Sequence, residues 1–239
     1  MDLKKQIPNL FTSLNLFSGC TALFCVFYGF YFHAAVFLCI SLVADFMDGF
    51  MARKLNAYSA FGKEIDSLAD MVSFGVVPGA IFFKLIVETL NISSTYHFVD
   101  YLPALPGFIF TVFAAWRLAK FNIDTRQSEE FRGLSTPPAT VFTLGLLLIH
   151  YYELAPFKLL VGTPIFIYIC IVILSILLVM DFRMFALKGR KLQWKGNEIL
   201  LIFIALCMLM FFLFREAAFS INILLYIAMS FLNNVLDKK

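Results

Sequence analysis

Charge is scarce in this chain of 239 residues: only 15% are Asp, Glu, Lys or Arg, where a soluble domain carries about 25%. That shortage excludes an ordinary water-soluble enzyme. Paired cysteine spacing is also lacking. Cys20, Cys25, Cys39, Cys170 and Cys207 all lie inside apolar runs, which fits buried thiols better than a disulfide frame or a metal site. There is no internal repeat and no low-complexity tract. What fills the sequence is apolar: 61% of residues, 30 of them Phe, with a mean hydropathy of +0.86. At roughly 20 apolar residues per span, the chain is expected to be all-α, a polytopic integral membrane helical bundle of about eight transmembrane helices. The apolar runs place the spans near 10–29, 33–53, 65–87, 102–121, 137–153, 164–184, 197–214 and 218–235.

The cations orient this bundle. With the N-terminus cytoplasmic, sixteen of the nineteen Lys and Arg fall on the inner side, and only Lys84, Lys158 and Arg215 fall toward the outer side. By the positive-inside rule both termini then face the cytoplasm. Lys4 and Lys5 ahead of an apolar run raise the alternative of a signal peptide, and Phe17-Ser18-Gly19-Cys20 faintly resembles a lipoprotein cleavage box. Pro8 and Asn9 interrupt the approach and the apolar stretch runs well past Cys20, so a retained first span is expected. The basic, partly apolar stretch from Leu3 to Leu10 is expected to lie along the inner surface before the chain turns in.

Ionisable residues inside spans are costly, so each is a functional candidate. Asp45 and Asp48 stand three apart near the inner end of the second span, and Asp66 and Asp70 stand four apart at the inner start of the third. Both spacings put two carboxylates on one helix face. An antiparallel hairpin turning at Asn56 to Phe61 brings the pairs to one depth. Four carboxylates there repel one another and demand cations. With Arg53 as partial balance and no His or Cys nearby, all-oxygen ligation points to Mg²⁺ or Mn²⁺. Two ions sharing carboxylates suit phosphoryl chemistry. Gly49, Ala52 and Gly62 lie among the acids, and their small size lets a phosphate-bearing ligand approach the backbone. The bland alternative is four snorkelling charges at a membrane edge, which the helical spacing disfavours.

The stretch 45–70 reads D-F-M-D-G-F-M-A-R-K-L-N-A-Y-S-A-F-G-K-E-I-D-S-L-A-D. It resembles the signature of the CDP-alcohol phosphatidyltransferases, D-x-x-D-G-x-x-A-R followed after eight residues by G-x-x-x-D-x-x-x-D, at all eight fixed positions. The resemblance implies a six-helix core around a cytoplasm-facing cavity, usually as a homodimer, in which a CDP-linked lipid loses CMP to an attacking hydroxyl. It assigns Asp45, Asp48, Asp66 and Asp70 to the metals and Asp70 to general-base catalysis. Asp45, Gly49, Ala52, Arg53, Gly62 and Asp66 are assigned to the cytidine diphosphate. The core is expected over 1–190, comprising the N-terminal surface segment and spans one to six, with two additional C-terminal spans over 191–239. A bacterial cytoplasmic membrane is the expected location.

Three further segments bear on the acceptor: Ile7 to Gly19, Trp116 to Asn122 (W-R-L-A-K-F-N) and Phe131 to Thr140 (F-R-G-L-S-T-P-P-A-T). They are similar to the phosphatidylserine synthases of this family, which implies CDP-diacylglycerol and L-serine as substrates and phosphatidylserine and CMP as products. Glycerol-phosphate-using members tend to carry an Arg near Asn15, which this chain lacks. Ser135 stands where serine-using members commonly have Pro, and Lys120 where many have Arg, and Lys lacks the bidentate fork. Arg117, Lys120 and Arg132 are the cationic candidates for serine's carboxylate, and Asn122, Ser135 and Thr136 the polar ones, against a plain reading of inner-side charge and lipid contact. Pro8 and Asn9 are candidates for closing the nucleotide cavity. Lys188, Gly189, Arg190, Lys191 and Lys195 read as a topogenic loop that contacts anionic lipid. Asp181 and Arg183 are expected to pair with each other, and the Phe wealth reads as packing and lipid contact. The same chemistry on glycerol phosphate, inositol phosphate or a lipid head group is the near alternative. A divalent-cation transporter is the distant one, disfavoured because no polar chain continues from the acids toward the outer side.

Overall fold

The computed structural model describes residues 3–92, 97–123, 133–182, 184 and 198–236, and these form helices joined by short turns, with no strand among them. The chain is a polytopic membrane helical bundle. Helix α1 (Leu3–Phe27) reverses at Gly29 into α2 (Tyr31–Lys54). A turn through Leu55 to Ser59 leads into α3 (Ala60–Asp70), which continues through a π-helical turn (Met71–Val76) into α4 (Val77–Thr89). A 3₁₀ helix (Phe98–Phe108) precedes α5 (Ile109–Ile123). Then come α6 (Thr136–Tyr151), the single turn α7 (Phe157–Val161) and α8 (Pro164–Val179). Helix α9 (Glu198–Phe214), a 3₁₀ turn (Arg215–Ala217) and α10 (Ala218–Leu236) end the described chain.

Local chemistry explains several boundaries. Ser59 caps α3 by accepting the Gly62 N–H at 2.9 Å, a favourable N-cap arrangement. Pro78, Pro137 and Pro164 sit in first turns, where their missing N–H has no helical partner to lose. Pro103 and Pro106, three apart, accompany the tighter 3₁₀ winding. The segment 3–10, expected at the inner surface, is helical and continuous with α1, with Pro8 early in the helix.

Five stretches are long and apolar enough to cross a membrane: Gln6–Phe27, Tyr31–Lys54, Ala60–Thr89, Phe98–Ile123 and Leu200–Asn234. The last holds two antiparallel helices. Phe203 meets Tyr226, the Asn222 amide reaches the Cys207 carbonyl and Phe211 meets Phe219, so the chain reverses at Arg215, whose φ is +50°. Helix α8 stops at Val179, short of the expected 184. Its final carbonyls serve the next layer: Leu134 N–H donates to Leu177 at 2.9 Å and Lys120 Nζ to Val179 at 3.5 Å. The Asp181–Arg183 pairing and the basic loop at 188–195 lie outside the described residues, as does Arg132.

The rod α3–α4 is the most enclosed span, with Phe74, Ile81, Phe82, Leu85 and Ile86 at zero exposure. Helix α6 is also central, burying Leu144, Leu146 and Leu147. Outward faces carry Phe17, Phe24, Phe46, Ile169 and Phe212, a surface suited to lipid and not to water. All five cysteines are free thiols, and Cys20 and Cys39 lie on exposed helix surface where burial was expected. At the end of the bundle away from the acids, Glu88 accepts from the Tyr31 hydroxyl, lies 2.8 Å from His150 Nε2 and 3.5 Å from Lys84 Nζ, tying α2, α4 and α6 together.

Helices α6 and α10 cross closely at Gly145, where an added Cβ would stand 2.2 Å from Ser220 Oγ and 2.5 Å from its main-chain nitrogen. Backbone cannot yield as a side-chain tip can. Gly145→Ala is therefore expected to destabilise the protein by about 1–3 kcal/mol through overpacking, visible as a lower thermal midpoint in detergent than wild type.

Candidate active site

The acid site is built at one end of α2 and α3. Asp45 and Asp48 project from the last turns of α2, and Asp66 and Asp70 from α3, facing across the Leu55–Ser59 turn. One carboxylate oxygen from each of Asp45, Asp48 and Asp66 lies within 4.8 Å of the others. Asp70 joins them through its proximity to Asp45 and Asp66. The expected hairpin and the meeting of its four acids are thus present.

Helix α1 supplies a polar lining that the signature does not contain. Thr12 hydroxyl donates to Asp48 Oδ2 at 2.9 Å, and Asn15 Nδ2 donates to Asp70 Oδ1 at 3.1 Å. Asn15 is itself fixed: Ser41 hydroxyl donates to its side-chain oxygen, and Ser73 hydroxyl to its main-chain carbonyl at 3.1 Å. This contact depends on Gly19, because a Cβ there would stand 2.2 Å from Ser73 Oγ. Thr12, Asn15 and Ser18 are all buried. The signal for them was legible: Asn9, Thr12, Asn15 and Ser18 recur every third residue within an apolar run, a polar stripe on one helix face.

A cavity of about 560 Å³ opens beside the acids. Asp48, Gly49, Ala52, Arg53, Gly62 and Asp66 line it, as do Pro8, Asn9 and Thr12 from α1 and Tyr58, Ser59 and Lys63 from the turn and α3. The exposed Arg53 folds back over Gly49, its guanidinium 3.4 Å from where a Cβ would stand. Lys63, absent from the sequence-derived candidates, brings a second cation, and its ammonium donates to the Asn122 carbonyl at 3.0 Å. Asp45 and Asp70 do not line this cavity, and Asp70 lies within electrostatic range of the buried Arg117.

The acceptor candidates occupy varied places. Arg117 is 7% exposed, donates Nε–H to the Leu134 carbonyl at 2.7 Å and lies over the Phe121 ring. One donation leaves the rest of its fork uncommitted by that bond. Lys120 points to the end of α8 and Asn122 donates to Ser67 Oγ at 2.8 Å. Ser135 is the N-cap of α6, without a side-chain capping bond, and Thr136 is buried at its first turn. None of these five lines the cavity beside Asp48 and Asp66.

Among the described residues, none of the four acids forms an ion pair with Lys, Arg or His. Asp66 Oδ1 is buried with no hydrogen-bond partner there. Oxygen ligands only, negative charge without internal balance and an orphaned carboxylate oxygen together fit a hard divalent cation. Asp45, Asp48 and Asp66 could hold it directly.

The chain is similar to known proteins over most of its length. The family model described as CDP-alcohol phosphatidyltransferase matches residues 5–173. A protein of Helicobacter pylori strain J99 named CDP-diacylglycerol–serine O-phosphatidyltransferase is 34% identical over 209 residues, covering 83% of this chain and 80% of the relative. A Bacillus subtilis protein of the same name is 34% identical over 157 residues, 66% of this chain and 81% of the relative. An archaetidylserine synthase of Methanothermobacter thermautotrophicus is 29% identical over 149 residues, 62% and 60% of the two chains. With the matched span running from α1 into α8 and enclosing the whole acid site, the chain belongs to the CDP-alcohol phosphatidyltransferases, a family of phosphotransferase enzymes.

Proposed function

We propose that this enzyme transfers the phosphatidyl group of CDP-diacylglycerol to the hydroxyl of L-serine, giving phosphatidylserine and CMP. The observation that carries the chemistry is the convergence of Asp45, Asp48 and Asp66 beside a cavity lined by Gly49, Arg53 and Gly62. Relatives whose names specify serine, matched over most of their length, support the acceptor. The two C-terminal helices are taken as an addition to the core, and a homodimer follows from the family resemblance. The acid end is assigned to the cytoplasmic face of a bacterial membrane, supported by the sixteen cations that the positive-inside rule collects there.

In this reading Asp45, Asp48, Asp66 and Asp70 hold Mg²⁺ or Mn²⁺, two ions in all. When bound, the metal neutralises charge that builds on the pyrophosphate as CMP leaves. Arg53 and Lys63 draw the cytidine diphosphate into the cavity, and Gly49, Ala52 and Gly62 leave room for it. Serine's oxygen forms a bond to the phosphorus that carries diacylglycerol, while the bond from that phosphorus to the bridging oxygen breaks and the electron pair departs with CMP. Asp70 accepts the hydroxyl proton as general base. Asn15, holding one Asp70 oxygen at 3.1 Å, turns the other toward the acceptor. Arg117, buried and within electrostatic reach of Asp70, is the foremost partner for serine's carboxylate.

The deciding experiment offers purified protein CDP-diacylglycerol, Mg²⁺ or Mn²⁺ and serine, glycerol phosphate, inositol phosphate or a lipid head group in turn, scoring CMP release. Serine is expected to be the productive acceptor. Preferential release with a phosphorylated alcohol would move the enzyme to another branch of the family. Asp70→Asn is expected to abolish transfer while retaining most CDP-lipid binding, and near-normal turnover would remove the base assignment. Arg117→Lys keeps the charge and loses the fork, so KM for serine should rise about tenfold with KM for the CDP-lipid little changed. An equal rise in both would point to a purely structural role.

A further inference from the structure

A second cavity of about 560 Å³ lies outside the acid site and is almost wholly apolar. Its floor is one face of α2, every third or fourth residue from Phe32 to Met47. Phe11 and Leu14 wall it near the acids, Leu144 and Leu148 farther along, and Tyr152, Phe219 and Glu216 stand at the far end.

One end of the groove lies a single residue along α1 and α2 from the acid-site residues. Met47 and Ala44 each precede a candidate metal-holding aspartate by one residue, and Phe11 precedes Thr12, whose hydroxyl meets Asp48. A lipid with its phosphates beside Asp48 and Asp66 thus has, on the adjoining face of the same helix about 100° round, an apolar groove for one of its chains. From Met47 to Phe32 the helical rise gives a length of about 22 Å. Spreading about 560 Å³ over that length leaves a mean cross-section of about 25 Å². A helix about 10 Å across cannot occupy it, whereas a polymethylene chain can. That length also exceeds one leaflet, about half of the roughly 30 Å hydrocarbon core.

The far end is not apolar. Glu216 lies in the 3₁₀ turn between α9 and α10, beyond the span that the family model matches. Its Oε1 lies 3.5 Å from the Arg215 guanidinium, while Oε2 is buried with no hydrogen-bond partner among the described residues. A methyl terminus pressed against that carboxylate would strip remaining water from a charged group, which is costly.

We propose that this groove takes one acyl chain of the CDP-linked lipid and that the α9–α10 turn, through Glu216, sets the longest chain accepted. The inference rests on the catalytic reading above and gives the C-terminal hairpin a part in substrate selection. Glu216 acts here on specificity and not on the reacting atoms.

The test measures serine-dependent CMP release by purified full-length protein in mixed micelles, with dioctanoyl, dioleoyl and dierucoyl CDP-diacylglycerol. Val36→Trp, which fills the groove midway, should lower kcat/KM for the dioleoyl substrate about tenfold and leave the dioctanoyl substrate within about twofold. Glu216→Leu should raise kcat/KM for dierucoyl relative to dioleoyl about tenfold, again sparing dioctanoyl. Val172→Trp, on an exposed face of α8 outside the groove, serves as the control and should keep the wild-type profile. Chain-length profiles of Val36→Trp and Glu216→Leu that match an active wild type would overturn the groove assignment alone. No CMP release by wild type at any chain length would overturn the catalytic reading and the groove assignment with it.

Discussion

Mutual repulsion among four carboxylates is the constraint around which this bundle is arranged. Asp45, Asp48, Asp66 and Asp70 meet at one end of a largely apolar bundle, without an ion-pair partner of their own among the described residues. In a medium of low dielectric constant, like charges a few ångströms apart are strongly unfavourable. The fold meets this in two ways. Neutral donors on α1 and its neighbours hold single oxygens, Thr12 on Asp48 and Asn15 on Asp70. The remaining charge stays uncompensated among the described residues, and the proposed function uses it to draw cations and a cation-bound diphosphate.

The opposite end of the bundle solves a different problem. Glu88 is surrounded by Tyr31, His150 and Lys84, a compensated carboxylate that joins three helices. One end is satisfied and fixed, and the other is left wanting ligands. The distinction separates compensated from uncompensated acid groups in the same chain without recourse to residue type.

Much of this was legible in the sequence, for physical reasons. Helical spacing put each aspartate pair on one face, and a short polar turn between two apolar runs forced the pairs together. The eight apolar runs all became helical, including the last two, where Arg215 and Glu216 interrupt a stretch that length alone would read as one element. The α1 contribution was missed because Thr12, Asn15 and Ser18 are small polar residues that a hydropathy reading averages away. Lys63 was passed over as one more inner-side cation, although it stands next to the signature's Gly62. The early end of α8 was invisible because it depends on a partner distant in sequence, Leu134. Cys20 and Cys39 fall on outward faces because in a membrane apolar character no longer implies burial.

The π-helical turn after Asp70 has a consequence for how this enzyme can vary. Val77 N–H reaches back to Val72, five residues and not four, so the turn holds one residue more than the α-helical ladder would. The carbonyls of Gly75 and Phe74 accept the hydroxyls of Thr111 at 3.0 Å and Thr140 at 3.4 Å. An extra residue shifts the azimuth of everything beyond it by roughly 100°. The acid-bearing half of the rod and its packing half therefore stand at a fixed angular offset from the register that an uninterrupted α-helix would give. Deleting one residue between Met71 and Val76 would undo that offset and turn either Asp66 and Asp70 or the buried face of α4 to the wrong side.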